Sequence, residues 1–260
     1  MSDTIETPSL SGKHVVITGG GRGIGAKIAE HYDKANAKIT LVGRTESSLA
    51  EVAGGLKHGS YQVADVTDAT SVKSAFAAAK DNFGPVSVLV NNAGAARSAP
   101  FEKTSENLWT QMLNVNLTGM FLCQQQVLED MRTAKWGRII NVVSTAGLIG
   151  YAYVTAYCAA KHGAIGLTRA LALETARDGI TVNAICPGFT ETDLLEDSIQ
   201  NIMQTTGRDR AAAEKSLKAV NPQRRFIQPS EIAAMCLFLS GPGAESVTGQ
   251  ALAIAGGEVM

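Results

Sequence analysis

The sequence is poor in the residues that build metal centres and disulfide frameworks. Its four cysteines, Cys123, Cys158, Cys186 and Cys236, are widely spaced with no C-x-x-C pair. That excludes a disulfide-stapled fold and points to reduced thiols in a cytoplasmic protein. His14, His31, His58 and His162 make no pair at helical or finger spacing, so no metal site is expected. Charge of either sign is scarce in excess, since 23 Lys and Arg against 24 Asp and Glu leave a net charge of −1. No general field attracts nucleic acid or an anionic membrane, and with aromatics at 5% there is no basic, aromatic-studded strand to bind bases. No apolar run approaches ~18 residues, which excludes a membrane-spanning helix. The polar arm before Lys13 carries Asp3 and Glu6 in place of a basic, apolar leader, so no signal peptide is expected. Internal repeats and low-complexity tracts are also missing.

What remains is ordinary for a globular enzyme-sized chain, with 45% hydrophobic and 18% charged residues over 260 positions. His14-Val15-Val16-Ile17 reads as a buried strand running into Thr18-Gly19-Gly20-Gly21-Arg22-Gly23-Ile24-Gly25 and then a helix to about Ala35. Strand, Gly-rich turn and helix in that order suit a dinucleotide pyrophosphate, because glycines admit close backbone approach and a helix N-terminus offers free N–H groups. No Gly-Lys-Ser/Thr follows, which excludes a P-loop. The second strand, Lys38 to Val42, exits into Gly43-Arg44, where an NAD site would carry an acidic residue for the ribose 2′-hydroxyl. Arg44, with Arg22 as a second cation, suits a 2′-phosphate and hence NADP(H); each is also compatible with a solvated surface arginine.

Further along, helix Glu46 to Leu56 precedes a strand Tyr61 to Ala64 that ends at Asp65-Val66. Asp65 either accepts from an adenine amine or caps the helix beginning at Thr67-Asp68, and both readings stand. A strand Val86 to Val90 then leads to Asn91-Asn92-Ala93-Gly94, small and amide residues that suit a loop lying flat against a cofactor. One long helix is expected from Glu106 to about Thr133, with Asn116 inside it; an Asn in mid-helix implies a buried hydrogen-bonding job. Strand Arg138 to Val143 delivers Ser144, helix Tyr157 to Arg177 follows, and strand Ile180 to Ile185 ends at Cys186-Pro187-Gly188-Phe189-Thr190-Glu191-Thr192. Residues 194–220 carry an amphipathic helical pattern, the longest insertion without a strand partner; 190–226 reads as a mobile substrate lid inserted in a single domain spanning 1–260, and a static helical pair packed on the core is the alternative. Pro229-Ser230-Glu231 opens the last major helix and Ala251 to Ile254 is the final strand. Strands alternating with helical segments imply a doubly wound, Rossmann-type α/β fold: a parallel sheet of about seven strands with helices on both faces. The positions Gly19, Arg44, Asp65, Asn92, Ser144 and Pro187 then share the C-terminal rim, where such sheets hold their ligand.

Chemistry centres on Ser144 to Lys161. Tyr157 and Lys161 are four apart and share one helical face, about 6 Å apart along the axis. A lysine at ~4 Å supplies about 4 kcal/mol at an effective dielectric of 20. Depressing a phenol pKa by ~2 units needs about 2.7 kcal/mol, so one amine is enough. Alone, the pair reads first as an ordinary helical pair with a snorkelling lysine.

Taken together, Thr18-Gly-x-x-x-Gly-x-Gly25, Asn91-Asn-Ala-Gly94, Asn116, Ser144, Tyr157-x-x-x-Lys161 and Pro187-Gly188 resemble the short-chain dehydrogenase/reductase family over essentially the whole chain. The resemblance implies Tyr157 as general acid/base, Ser144 orienting the substrate oxygen, and Lys161 binding the nicotinamide ribose and lowering the Tyr157 pKa. It further implies that Asn116 holds a relay water. Asp65 and Val66 would contact adenine, Asn92 ribose, and Thr190 and Thr192 the nicotinamide amide, with Gly94, Pro187 and Gly188 beside the cofactor. Dimer or tetramer assembly through the two long helices is implied too. The C-terminal half resembles bacterial β-ketoacyl and polyketide ketoreductases and hydroxyacyl-CoA dehydrogenases, which makes a 3-oxoacyl thioester or related ketone the leading substrate class. Arg208, Arg210, Lys215, Lys218, Arg224 and Arg225 either meet a carrier phosphate or sit on solvated helix faces. The alternatives are NAD-dependent oxidation of an aromatic, steroid or hydroxyacyl alcohol and, outside enzymes, a dinucleotide-binding sensor. The sensor predicts loss of Ser, Tyr or Lys, and all three are present.

Overall fold

The computed structural model describes residues 9–260; the polar arm before them lies outside the described residues. Seven parallel strands form one sheet in the order β3-β2-β1-β4-β5-β6-β7, with β1 His14–Thr18, β2 Lys38–Gly43, β3 Gly59–Val63, β4 Val88–Asn91, β5 Gly137–Val142, β6 Ile180–Pro187 and β7 Ala251–Ile254. The chain starts in the middle and winds outward in both directions, so the reversal falls between β1 and β4. Such a crevice receives the ligand.

Alternation along the strands feeds two cores. Val15 and Ile17 of β1 turn to one face with Ile39 and Leu41 of β2, where they meet Ile28 and Tyr32 of α1 (Gly23–Lys34). On that same face lie Leu49 of α2 (Glu46–Gly54) and Ile232 and Cys236 of α10 (Pro229–Ser240). Val16, Val42 and Leu89 turn to the other face, against Val72 and Phe76 of α3 (Ala69–Phe83). A period of two between faces that are both covered requires nearly every strand position to be apolar. Each fully buried Ile, Leu or Val stabilises the fold by ~1.5–3 kcal/mol.

One expected long helix is broken. The segment from Glu106 divides into α4 (Glu106–Leu113), one wide π turn over Asn114–Thr118, α5 (Gly119–Gln125) and α6 (Leu128–Ala134). The wide turn includes Asn114, Asn116 and Thr118, all poor helix formers. It ends at Gly119, where a Cβ would meet Val66 Cγ2 at 2.9 Å. After α7 (Thr155–Thr175) and β6, the span from 194 to 220 is a pair of helices, α8 (Asp193–Thr206) and α9 (Arg210–Lys218). Gly207, at φ 69°, stops the first, and the Asp209 carboxylate accepts from Ala212 N at 2.8 Å to start the second. Other boundaries differ from expectation by a few residues.

Candidate active site

Because every strand is parallel, seven C-terminal ends meet on one rim. At β1, Thr18 Oγ1 accepts from the backbone N of Asn92 and of Ala93, both at 3.0 Å, and Asn92 Nδ2 donates to Thr18 O and Gly19 O, both at 3.1 Å. Asn92 thus braces the glycine turn. Gly19 is left-handed at φ 65°, and a Cβ on Gly25 would lie 2.3 Å from Gly19 O. A Cβ on Gly21 would lie 2.6 Å from Ser48 Oγ, and Gly23, at φ 53°, faces Thr192 Cγ2. Ile24 packs on the core behind the turn. At the N-terminus of α1, Arg22 contributes no side-chain cap, which leaves the first-turn N–H groups to an anion. These side-chain-free approaches and the uncapped helix start fit a dinucleotide pyrophosphate.

Arg44 stands exposed beyond β2. Arg22 Nη1 bonds Asp193 Oδ2 of α8 at 3.1 Å, so it ties the turn to the next segment. Asp65 is not the cap of α3: Asp68 fills that place, accepting from Thr70 N at 2.8 Å and Ser71 N at 3.2 Å. Instead Asp65 accepts from Thr67 N at 2.9 Å and Thr67 Oγ1 at 2.8 Å. Burial pushes its carboxyl up, but the Thr67 hydrogen bonds and the Arg44 charge bring it below the usual range. Val66 is buried against Gly119.

Two strands along the rim from β1, β5 delivers Ser144, whose Oγ accepts from Ala146 N at 3.1 Å. Asn116, 1% exposed inside the π turn, donates to Ala95 O at 2.8 Å and Met112 O at 3.0 Å. That confirms the buried hydrogen bonding expected of a mid-helix Asn, and a widened turn at a site is a recurrent device. Gly94 separates Asn116 from Lys161: its Cβ would stand 2.9 Å from Asn116 Oδ1 and 3.7 Å from Lys161 Nζ. Lys161 and Tyr157 share the first turns of α7, with Nζ 5.6 Å from the ring centroid.

The charges differ from expectation. Burial pushes the Tyr157 phenol up to about 12, a rise that the Ser144 hydroxyl partly opposes. Burial also brings the Lys161 ammonium down to about 8. Its Nζ donates to Val142 O at 3.1 Å, so without cofactor the amine serves the strand end and does not acidify the phenol. Desolvation outweighs mere neighbourhood.

Strand β6 brings Pro187 and Gly188 to the rim, where Gly188 N donates to Ile254 O at 3.0 Å. Thr190 Oγ1 donates to Gly188 O at 2.9 Å and Thr192 Oγ1 to Thr190 O at 3.2 Å, so both hydroxyls hold the exit loop. Of the basic cluster, Arg210 pairs with Glu196 at 2.7 Å and Glu214 at 2.9 Å, Lys218 with Glu214 at 3.1 Å, and Arg225 with Glu231 at 2.6 Å. Arg224 donates to Ala219 O at 2.9 Å. Carboxylates and backbone therefore occupy four of the six, which favours the structural reading over a carrier phosphate. Sequence reasoning missed Thr145, Tyr151 and Glu258. Tyr151 is hydrogen-bonded to Thr145 Oγ1 at 2.8 Å and donates to Glu258 Oε1. The available signal was the Gly256-Gly257 turn before Glu258.

A glycine turn at the first strand, an amide brace at the fourth and a Ser, Tyr and Lys set at the fifth define an oxidoreductase built on a nicotinamide dinucleotide. The chain belongs to the short chain dehydrogenase family, whose model matches residues 13–202. It is 37% identical over 253 residues to a 3-oxoacyl-acyl-carrier-protein reductase of Vibrio cholerae, covering 97% of this chain and 99% of that one. It is 36% identical over 256 residues to a D-beta-hydroxybutyrate dehydrogenase of Cupriavidus necator, with 96% and 99% covered. A crystal structure of an actinorhodin polyketide ketoreductase variant with NADPH superposes with a TM-score of 0.91 at 36% identity, covering 95% of this chain and 97% of that one.

Proposed function

We propose that the protein is an NADP(H)-dependent reductase that interconverts a ketone and a secondary alcohol, with a 3-oxoacyl thioester or related ketone as its substrate class. The observation that carries this is that Asn116 and Lys161 both stand beside Gly94 on the rim, with the Tyr157 ring next to Lys161 and the Ser144 hydroxyl against the Tyr157 phenol. The glycine turn lies two strands away, after β1. When bound, the cofactor supplies the hydride. Gly19, Gly21, Gly23, Ile24 and Gly25 hold its pyrophosphate, and Asp65, Val66 and Asn92 line its adenosine side. Gly94, Pro187, Gly188, Thr190 and Thr192 line its nicotinamide side. Arg44 and Arg22 favour the phosphorylated form, because no carboxylate stands at the exit of β2 to claim a free 2′-hydroxyl.

Tyr157 gives its phenolic proton to the substrate oxygen and Ser144 holds that oxygen by a hydrogen bond. A phenol at about 12 is a weak acid for this task. A Lys161 charge ~5 Å away is worth about 3 kcal/mol at an effective dielectric of 20, or ~2 pH units in favour of phenolate. Lys161 would take this role if its amine turned from the Val142 carbonyl toward a bound cofactor's ribose. Asn116 holds the water through which the proton is replaced.

Helices α8 and α9 form a lid over the substrate end, within residues 190–226. A cleft of about 280 Å³ between them is lined by Leu195, Ile199 and Phe226 together with the ion-paired Glu196, Arg210, Glu214 and Lys218. Trp109, Phe121 and Leu173 stand exposed on α4, α5 and α7, which supports a homo-oligomer, dimer or tetramer, formed through those helices. Among the described residues no helix is long and apolar enough to cross a membrane.

The relative named for hydroxybutyrate supports a second direction, oxidation of a hydroxyacyl alcohol. Steady-state rates with NADPH and NADH against 3-oxoacyl thioesters, and with NADP and NAD against 3-hydroxyacyl alcohols, separate the two. The proposal expects kcat/KM for NADPH at least tenfold above NADH with a ketone. Preference for NAD with an alcohol would overturn it.

A further inference from the structure

The loop between Ser144 and Tyr157 carries a second tyrosine that the chemistry above does not use. Tyr151 is half-buried, bonded to Thr145 next to Ser144, and it donates to Glu258 Oε1. Glu258 is held there by a rigid turn. Gly256 and Gly257 are left-handed, at φ 61° and 90°, and fold the chain back after β7. A Cβ on Gly256 would fall 2.2 Å from Asn221 Oδ1, and one on Gly257 would fall 3.3 Å from Pro222 Cγ, so the turn is seated on the segment after α9. Glu258 N donates to Ala255 O at 3.2 Å.

The second carboxylate oxygen, Oε2, lies where a Cβ on Gly188 would be only 2.8 Å away. The carboxylate thus lies directly against the backbone of the β6 exit. Oε2 is buried and has no hydrogen-bond partner, and among the described residues no Lys or Arg pairs with Glu258. The other buried polar atoms in that condition, on Asn91, Gln124 and Arg138, belong to side chains already bonded within the sheet or its supporting helices. An unpaired carboxylate oxygen is costly to bury, and this one stands on the rim, between the loop that carries Ser144 and the exit loop of β6. Burial, followed by the bond to Glu258, pushes the Tyr151 phenol well up. Tyr151 therefore remains a donor to the carboxylate throughout the working pH range.

We propose that Glu258 is a specificity-determining residue of the substrate pocket: its buried carboxylate rejects ketones that carry a carboxylate of their own and admits uncharged or donor-bearing ones. This rests on the ketone reading above and narrows its substrate class to esters, thioesters and other neutral ketones. Two carboxylates ~5 Å apart at an effective dielectric of 20 repel by an amount on the order of 100-fold in affinity.

The test compares 3-oxobutanoate with its methyl ester in NADPH-linked turnover by wild type, Glu258→Gln and Glu258→Asp. Wild type is expected to favour the ester by about 100-fold in kcat/KM. The glutamine variant should raise the acid-to-ester ratio at least tenfold, and the aspartate variant should keep it within about threefold of wild type. The ratio is read, so a general loss of activity does not obscure it. A wild-type protein that takes acid as readily as ester overturns the proposal without any variant, and so does an aspartate variant that admits the acid as glutamine does. If no ketone is turned over, the ketone reading fails. The ratio is then read from calorimetric titration of the same two ligands into the NADP-loaded protein, where equal affinity or no binding also overturns the role of Glu258.

Discussion

Replacing Lys161 by methionine isolates the cost of burying its amine. Lys161 is 4% exposed, and burial brings its ammonium from 10.5 down to about 8. A difference of roughly 2.5 at about 1.4 kcal/mol each places ~3 kcal/mol against the charged folded form. Methionine fills a similar volume and leaves the Val142 carbonyl without this donor, now 3.1 Å away, which costs ~1 kcal/mol. The cofactor-free variant is therefore expected to be more stable than wild type by about 2 kcal/mol near neutrality, or ~4–8 °C in Tm for a chain of this size. The unfolded lysine keeps its proton to about pH 10.5, whereas the folded one releases it near 8. Wild-type stability therefore rises through that window and the variant's advantage shrinks. Calorimetric melts of both proteins without cofactor, near pH 7 and near pH 9.5, check this. A variant less stable than wild type near pH 7, or a gap of the same size at both pH values, would refute the desolvation account.

Tyr157→Phe should lower kcat by ~10²–10⁴-fold with the KM for NADPH within about threefold; steady-state kinetics showing undiminished kcat would remove Tyr157 as the acid. Gly25→Ala puts a methyl 2.3 Å from Gly19 O and 2.7 Å from Asn92 Nδ2, and it should destabilise the protein by ~1–3 kcal/mol in urea melts. An unchanged midpoint would mean that the turn has slack. Arg44→Ala should raise the KM for NADPH about tenfold or more and that for NADH by less than about twofold, because only the phosphorylated cofactor loses a charged hydrogen bond. Equal effects on both would place Arg44 outside the cofactor contacts.

The sheet was readable because strands buried on both faces leave continuous apolar runs such as Val15-Val16-Ile17 and Val88-Leu89-Val90. Once the strands are parallel, their C-terminal residues share a rim, so Gly19, Asn92 and Ser144 follow from topology alone. The buried role of Asn116 was readable from propensity, but the π turn around it was not, since the apolar pattern continues past it. Gly207 and Asp209, a helix stop and a helix start two residues apart, were legible signals masked by the amphipathic pattern on either side. Spacing places Tyr157 and Lys161 on one face of α7, yet it does not say which way Nζ points or how much water is lost. Those two facts set the charges. Nothing local links Tyr151 to Glu258, which stands 107 residues further on.

The ion pair between Arg22 and Asp193 joins side chains that are 78% and 69% exposed. Fastenings of this kind hold by no more than ~1 kcal/mol, little above thermal agitation. On the proposed cofactor reading, the guanidinium that clips α8 to the glycine turn would also meet an incoming phosphate, and it could not fully serve both. Arrival of the cofactor at the glycine turn would then loosen the clasp on the helix above it, and a rise in ionic strength should do the same with no ligand at all.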